Sequence, residues 1–456
     1  MAAAARRQRI DRLSLQVATQ CGSQYGQAAP TGSPWRTTFR REHMPEMVAH
    51  RFFAADKCTR CGECFTRCQY MDLTRSEAIL EIRRLIEDRP TTTVLRDCVS
   101  CYACDAFCPE DAGPYQLILE KWSRRYDQNG LPVRAAYMLP YQDPNYRTDM
   151  VPEMSPREKE LLTTWKQTPA QGEVLYPGCN LLTLPSLLDL GVLDGLPVSG
   201  DWSLCCGEPF YRLGAFAVME QIAAALTAYY ADKKITKMIF ACPACLNMFR
   251  NILPGRFGAR FDFECEYIAG WLLRRLDDGR IRVTRPLERA VAVHDSCHGR
   301  VLGDEIMEQT RELYARLGVS VVNTKHHHAD GICCGIAAGC NRQMPQDIVR
   351  VGRRELREGV DTGADEMAIY CTGCYLILNI IQNLSRRRAP SSKQRLVHTM
   401  ELLAEAVGEQ VPRTGVPRTV ERRARKMLFN IIRAALPKVL STKHYKIGEL
   451  KIGPEE

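Results

Sequence analysis

Eighteen of the 21 cysteines in this 456-residue chain fall into four sets with repeating internal spacings, and no other feature restricts the fold so strongly. Two sets of four open the pattern: Cys58-x-x-Cys61-x-x-Cys64-x-x-x-Cys68, then Cys98-x-x-Cys101-x-x-Cys104-x-x-x-Cys108, followed by Pro109. Two sets of five come next: Cys179, Cys205, Cys206, Cys242 and Cys245, then Cys297, Cys333, Cys334, Cys371 and Cys374. In each five an adjacent Cys-Cys pair precedes a glycine, Gly207 or Gly335, and a Cys-x-x-Cys closes the set. The interval from Cys206 to Cys242 matches that from Cys334 to Cys371 within one residue, so the second half of the chain reads as a duplicated module.

Thiols spaced in this way are metal ligands rather than a disulfide framework. The cysteines are too sparse for a disulfide-built mini-protein, and no apolar leader precedes Cys21. A cytoplasmic setting that keeps thiols reduced is therefore expected. In the sets of four, a tight loop wraps three thiolates around one cubane while the remote fourth cysteine reaches the neighbouring cluster. This groups Cys58, Cys61, Cys64 and Cys108 around one [4Fe-4S] cubane and Cys98, Cys101, Cys104 and Cys68 around another. Structural zinc is the competing reading, but adjacent cysteines are foreign to ordinary zinc sites. Gln69 stands where a proline usually follows the first motif, a change expected to alter the turn and not the ligation.

Composition narrows the rest. With 45% hydrophobic and 25% charged residues the chain is globular. Its formal charge of +9 is too small to call for nucleic acid, and no continuous basic-aromatic surface is evident. The uncharged run 367–385 is too rich in Asn, Gln, Gly and Cys to span a membrane. Residues 1–50 read as an extended arm, 51–126 as a cysteine-dense helical unit, and 127–170, rich in Pro, Tyr and Asp, as a linker wrapped on the surface. Within 51–126, Thr74 and Glu77 form a capping-box pattern ahead of a helical repeat that stops at Pro90, and a second helix starts at Tyr115. From 171 the pattern is α/β: the strand-like runs around 237–242, 290–295, 319–323 and 366–371 alternate with helical patterns at 216–230, 265–276, 303–317, 346–358 and 398–407. Three of these runs lead straight into Cys242, Cys297 and Cys371, the carboxyl ends of strands at which parallel sheets place their chemistry.

The order of motifs resembles the catalytic subunit of heterodisulfide reductase in its fused form, a two-cluster ferredoxin module ahead of a pair of CCG domains. The likeness covers roughly residues 50–410. It implies a ferredoxin-like helical module followed by two repeated α/β CCG domains, 171–288 and 289–412. It also implies that each five-cysteine set holds a noncubane [4Fe-4S] cluster, in addition to the two cubanes, with a heterodisulfide reduced between the two sites. All ten positions are filled here. The chain departs from regularity in one place, since Cys179 precedes its Cys-Cys pair by about ten residues fewer than Cys297 does.

The second set opens His294-Asp295-Ser296-Cys297-His298, similar to the family's HDPCH stretch with Ser296 in place of proline. His294 and His298 are candidates for positioning a thiolate or delivering a proton, against a loop-shaping role in hydrogen bonds. His326, His327 and His328 read as a polar loop, Cys265 as packing in a helix, and Cys340, near the second Cys-Cys-Gly loop, as an uninvolved thiol, with a pocket-lining role as the competing reading. Two activities stand at this level: reduction of a low-molecular-mass disulfide fed one electron at a time, and an electron-transfer subunit of a larger flavin-dependent or respiratory complex. No GxGxxG fingerprint is evident, so either activity calls for a redox partner subunit carrying flavin, haem or iron-sulfur clusters within a multisubunit assembly. Residues 413–456 form a basic amphipathic tail expected to dock on a partner or at the inner face of the cytoplasmic membrane, with packing on its own domain as the competing reading.

Overall fold

The computed structural model describes residues 52–342, 344–385, 394–409, 416–438 and 441–450. The expected arm, Cys21 included, lies outside the described residues. In the cysteine-dense unit the Thr74–Glu77 capping box forms as its sequence requires and starts helix α1 (Arg75–Ile86), whose buried Ala78, Ile82 and Leu85 pack towards α2 (Pro114–Asn129). Glu81 lies on the same buried face. Its carboxylate accepts the backbone N–H groups of Thr92 at 2.9 Å, Thr93 at 3.0 Å and Val94 at 2.8 Å, which pins the chain entering the second cysteine loop. Burial pushes this carboxyl up, but those donors outweigh it and hold it below its ordinary value.

Residues 127–170, expected as a surface linker, instead fill the core. Leu139, Tyr146, Met150 and Trp165 are buried, and so is the guanidinium of Arg147. The Tyr, Leu and Met side chains in the Pro-rich part, 127–155, have neither helical nor strand period, so periodicity could not announce their burial. A short strand β1 (Leu131–Pro132) and helix α3 (Pro156–Trp165), begun by a Ser155–Glu158 capping box, lie within it.

Two parallel sheets follow. The first has the order β2 (Gln171–Tyr176), β3 (Lys234–Phe240), β4 (Glu264–Tyr267), with helices α4 (Phe216–Tyr230) and α5 (Ile268–Asp277). The second contains β5 (Arg289–His294), α6 (Asp304–Arg316), β6 (Val319–Asn323), α7 (Pro345–Asp361), β7 (Glu366–Ile369), α8 (Thr372–Ser385), β8 (Arg395–His398) and α9 (Thr399–Val407), in the strand order β6-β5-β7-β8. Strands β2, β3 and β4 correspond to β5, β7 and β8. The counterpart of β6 shrinks to one parallel bridge, Leu175 to Val198, and three 3-10 turns between Leu181 and Leu193 stand where the second repeat has α6. The shorter Cys179–Cys205 interval is thus a lost helix and strand at one edge, while the cysteine-bearing strands are kept. Cys265, expected in a helix, pairs within β4 opposite Met238, because Phe263 and Tyr267 around it favour the extended chain.

The basic tail forms α10 (Val416–Ala435) and packs against α8. Arg423 is buried and its guanidinium donates to Glu158 at 2.7 and 2.5 Å and to the Thr183 carbonyl at 3.1 Å; Ala424 and Met427 are buried beside it. One face of the tail therefore joins the core, which corrects the expectation that it stands apart. Phe429 and Ile432 remain exposed. Strand β9 (His444–Tyr445) closes the chain by pairing antiparallel with β1. Among the described residues no helix is long and apolar enough to cross a membrane.

Candidate metal centre

Each cysteine group is delivered by a turn that follows a regular element. Cys58, Cys61, Cys64 and Cys108 line one cavity together with Gly62, Ile82 and Pro109. Cys98, Cys101 and Cys68 interact with one another, and Cys104 with Cys98 and Cys101. The fourth cysteine of each motif thus crosses to the other motif's loop. Cys104 also interacts with Cys64, which links the two groups.

In the α/β repeats the cysteines follow the carboxyl ends of β2, β3, β5 and β7, or stand on the Cys-Cys-Gly turns before α4 and α7. All ten are buried. Their thiols form a continuous line of contacts, from Cys179 through Cys205, Cys206 and Cys245 to Cys242, then across to Cys371 and on through Cys374, Cys334 and Cys333 to Cys297. Cys206 and Cys245 are 3.5 Å apart at sulfur. The two fives therefore meet at Cys242 and Cys371. Cys333 in turn interacts with Cys101, so the second five is the one beside the N-terminal groups.

Gly207 and Gly335 explain the motif's third letter. Both have positive φ, +77° and +99°, and at Gly335 a side chain would run into the Ile348 carbonyl and the Gly352 nitrogen. Only glycine lets the Cys-Cys turn sit this close to the following helix.

Arginines face the first cysteine of each five. Arg147 holds its charge beside Cys179, donates to the Met138 carbonyl at 3.1 Å and stacks over Tyr146 at 4.2 Å. Arg212, from the short helix Glu208–Leu213, donates to Cys297 sulfur at 3.1 Å, to the Ser100 carbonyl beside the N-terminal loop, and to the Glu208 carboxylate. Burial would raise the Glu208 carboxyl, but Arg212 and His298 hold it down at about 2. The tyrosines Tyr70 and Tyr141 tie down the Cys-Cys pairs: Tyr70 accepts the Cys333 N–H at 2.8 Å, and Tyr141 donates to the Cys205 carbonyl at 2.5 Å. The sequence reading missed all of these. Glu208-x-x-x-Arg212, a helical ion pair directly after Cys-Cys-Gly, was a usable signal; Arg147, Tyr70 and Tyr141 carried none.

The two candidate histidines separate. His298 is engaged on both sides, with Nε2 at 2.8 Å from Arg212 and 3.0 Å from Glu208, and Nδ1 at 3.4 Å from Asn247. His294 places Nδ1 at 2.8 Å from Glu355, while its buried Nε2 has no hydrogen-bond partner. That ring, Cys334 and Cys374 form a buried group whose donor atoms all lie within 4.8 Å of one another. His326 and His328 pair with Glu358 and Glu308 in a polar loop, and Cys340 sits against the Glu208, Arg212 and Cys297 group. Gln69 donates to the Asp330 carbonyl, so the residue replacing proline ties the first cysteine loop to the second repeat.

The donor chemistry fits iron-sulfur groups. Burial, reinforced by neighbouring thiols, drives Cys64, Cys98 and Cys104 well above the ordinary cysteine range, and hydrogen bonding and burial take Cys205 up to about 12. Neighbouring thiols pull Cys206, Cys334 and Cys371 the other way, outweighing burial, and for the raised thiols bound iron would supply the positive charge that a thiolate in a dry interior needs.

Residues 187–250 and 291–379 match the family described as CCG, cysteine-rich domain, one match in each repeat. Among curated proteins, a subunit of the dihydromethanophenazine:CoB--CoM heterodisulfide reductase from Methanosarcina acetivorans is 23% identical over 370 residues, 72% of this chain and 89% of that protein. Its counterpart from Methanosarcina barkeri is 23% identical over 405 residues, 79% of this chain and 96% of that protein. The chain is homologous to these heterodisulfide reductase proteins at moderate divergence. An EtfAB:quinone oxidoreductase from Syntrophomonas wolfei is 22% identical over 443 residues, 81% of this chain and 60% of that protein. The chain thus has a mixed α/β architecture with a CCG match in each repeat, and it is similar over most of its length to the two Methanosarcina proteins.

Proposed function

We propose that this chain is the disulfide-reducing subunit of an iron-sulfur oxidoreductase, in which Cys58, Cys61, Cys64 and Cys108, and Cys98, Cys101, Cys104 and Cys68, hold two cubane clusters and the two fives hold two noncubane [4Fe-4S] clusters. Such clusters, when bound, supply one-electron carriers. The observation that carries the reading is the meeting of the two fives at Cys242 and Cys371, which sets two metal sites side by side for a substrate needing two electrons. The reaction is a low-molecular-mass disulfide plus two electrons and two protons giving two thiols. A partner subunit carrying flavin, haem or iron-sulfur clusters supplies the electrons, and the half-buried Cys58, Cys61 and Cys108 around that cavity are the proposed entry. Arg147 and Arg212 hold positive charge beside Cys179 and Cys297, favouring the thiolate form of each. The exposed Phe429 and Ile432 with their basic neighbours on α10 are the proposed contact to that partner or to an anionic membrane surface.

The test is anaerobic. Purified protein should contain about sixteen iron atoms if all four sites are four-iron, and with a reduced donor it should consume one heterodisulfide from a panel per two electrons. The similarity to an EtfAB:quinone oxidoreductase favours a second reading, an electron-transfer subunit with no substrate site of its own. Clusters that fill from a native partner while every disulfide stays intact would establish that second reading.

A further inference from the structure

The two repeats place different residues at one equivalent position. Tyr176 is the last residue of β2 and stands three before Cys179; His294 is the last residue of β5 and stands three before Cys297. Tyr176 lies against Cys206 and Cys245, and His294 against their counterparts Cys334 and Cys374. The phenol is spent, donating to the Leu204 carbonyl. The imidazole is not spent. Its Nδ1 side is occupied by the buried Glu355 carboxylate at 2.8 Å, and Nε2, also buried, is left without a partner beside two thiols. A carboxylate on one ring nitrogen is the arrangement that orients metal-ligating histidines and fixes the tautomer that presents a lone pair at the other.

We propose that His294 is a sixth donor to the iron bound at the second five-cysteine site, through Nε2, with Glu355 as its positioning residue, and that the first site has no such donor. This rests on the reading that the fives hold iron-sulfur clusters. Its consequence is that two sites alike in cysteines differ in ligand field. An imidazole added to the thiolates of one site only changes the ligand field of its iron, so the second site, the one beside Cys101, is set apart electronically from the first.

The test uses full-length protein purified anaerobically from cells fed ¹⁵N-histidine, with electron-nuclear double resonance on the reduced CCG-site signals. A strong ¹⁵N coupling on one signal only, lost in His294→Gln together with a shifted midpoint potential for that site, is the expected result. In Glu355→Gln the coupling should persist while the potential moves, which a packing role for Glu355 would not produce. Wild-type protein showing no strong ¹⁵N coupling, although Cys334→Ala loses iron, overturns the histidine ligand and leaves the cluster reading standing. Should Cys334→Ala keep its full iron content, the cluster reading at that site fails and the proposal falls with it. The wild-type measurement decides the matter even if the variants do not fold.

Discussion

Cys242 of the first repeat and Cys371 of the second lie against each other, so the two five-cysteine sets form one connected group of thiols. Residues sharing a network are not energetically independent. Cys242→Ala should therefore disturb the spectroscopic signals of both CCG sites, whereas Cys179→Ala, at the far end of the line, should disturb the first site alone. Electron paramagnetic resonance of the two variants checks this; equal effects on both signals from Cys179→Ala would contradict it.

Arg212 is the single side chain that touches the Ser100 carbonyl by the N-terminal loop, Glu208, His298 and Cys297 together. Removing its buried charge with Arg212→Met should make the second site harder to reduce, by a shift on the order of 60 mV, the one-electron equivalent of about 1.4 kcal/mol. Anaerobic redox titration reads the shift, and an unchanged potential would show that the charge is compensated elsewhere.

The Cys-Cys-Gly turns should differ in tolerance. An added methyl at Gly207 meets side-chain atoms of Ile222 and Met219, which can move, but at Gly335 it meets the backbone of Ile348 and Gly352. Both alanine variants bear the left-handed backbone cost of about 1–2 kcal/mol, and Gly335→Ala should lose clearly more. Denaturant unfolding with iron content measured alongside compares them; Gly207→Ala proving the worse variant would refute the argument.

Arg423 and Glu158 hold α10 to the core through a buried ion pair. Cutting one partner of such a pair costs about 3–5 kcal/mol, so Arg423→Ala should release the helix to protease while the clusters remain. Burial works to raise the Glu158 carboxyl, but Arg423 and the Ser155 cap lower it below its ordinary value of 4.5. A depressed carboxyl contributes stability that is complete above its unfolded value and is lost as pH falls through its folded value. Protection of α10 should accordingly hold from neutral pH down through 4.5 and fail only at more acid pH. In Arg423→Ala the helix should be open to cleavage across the whole range, with no acid transition, as limited proteolysis would show.

Local rules were legible wherever a single stretch of chain determines the outcome. The Thr74–Glu77 box started its helix, the runs before Cys242, Cys297 and Cys371 became strands, and the glycine after each Cys-Cys pair took a positive φ. Residues 127–155 defeated the reading because their side chains are buried without any period, the helical spacing of Leu161, Leu162 and Trp165 in α3 was a signal left unread, and Cys265 misled because a four-residue strand is shorter than the window in which periodicity can be judged. The tail misled for another reason: a basic amphipathic helix looks the same whether its apolar face meets a partner or its own domain, and Arg423, counted as surface charge, is an internal ion-pair member.

By itself the sequence determined the grouping of the cysteines and the duplication of the α/β module, because spacing along a chain limits which thiols can reach one centre. Only the tertiary structure decided that the two fives touch at Cys242 and Cys371, that Arg147 and Arg212 face Cys179 and Cys297, and that His294 keeps a nitrogen without a partner while His298 does not. These are contacts between segments tens to hundreds of residues apart, set by how two sheets and a helical module pack. No local propensity encodes them, since each depends on burial that exists only once the core has closed.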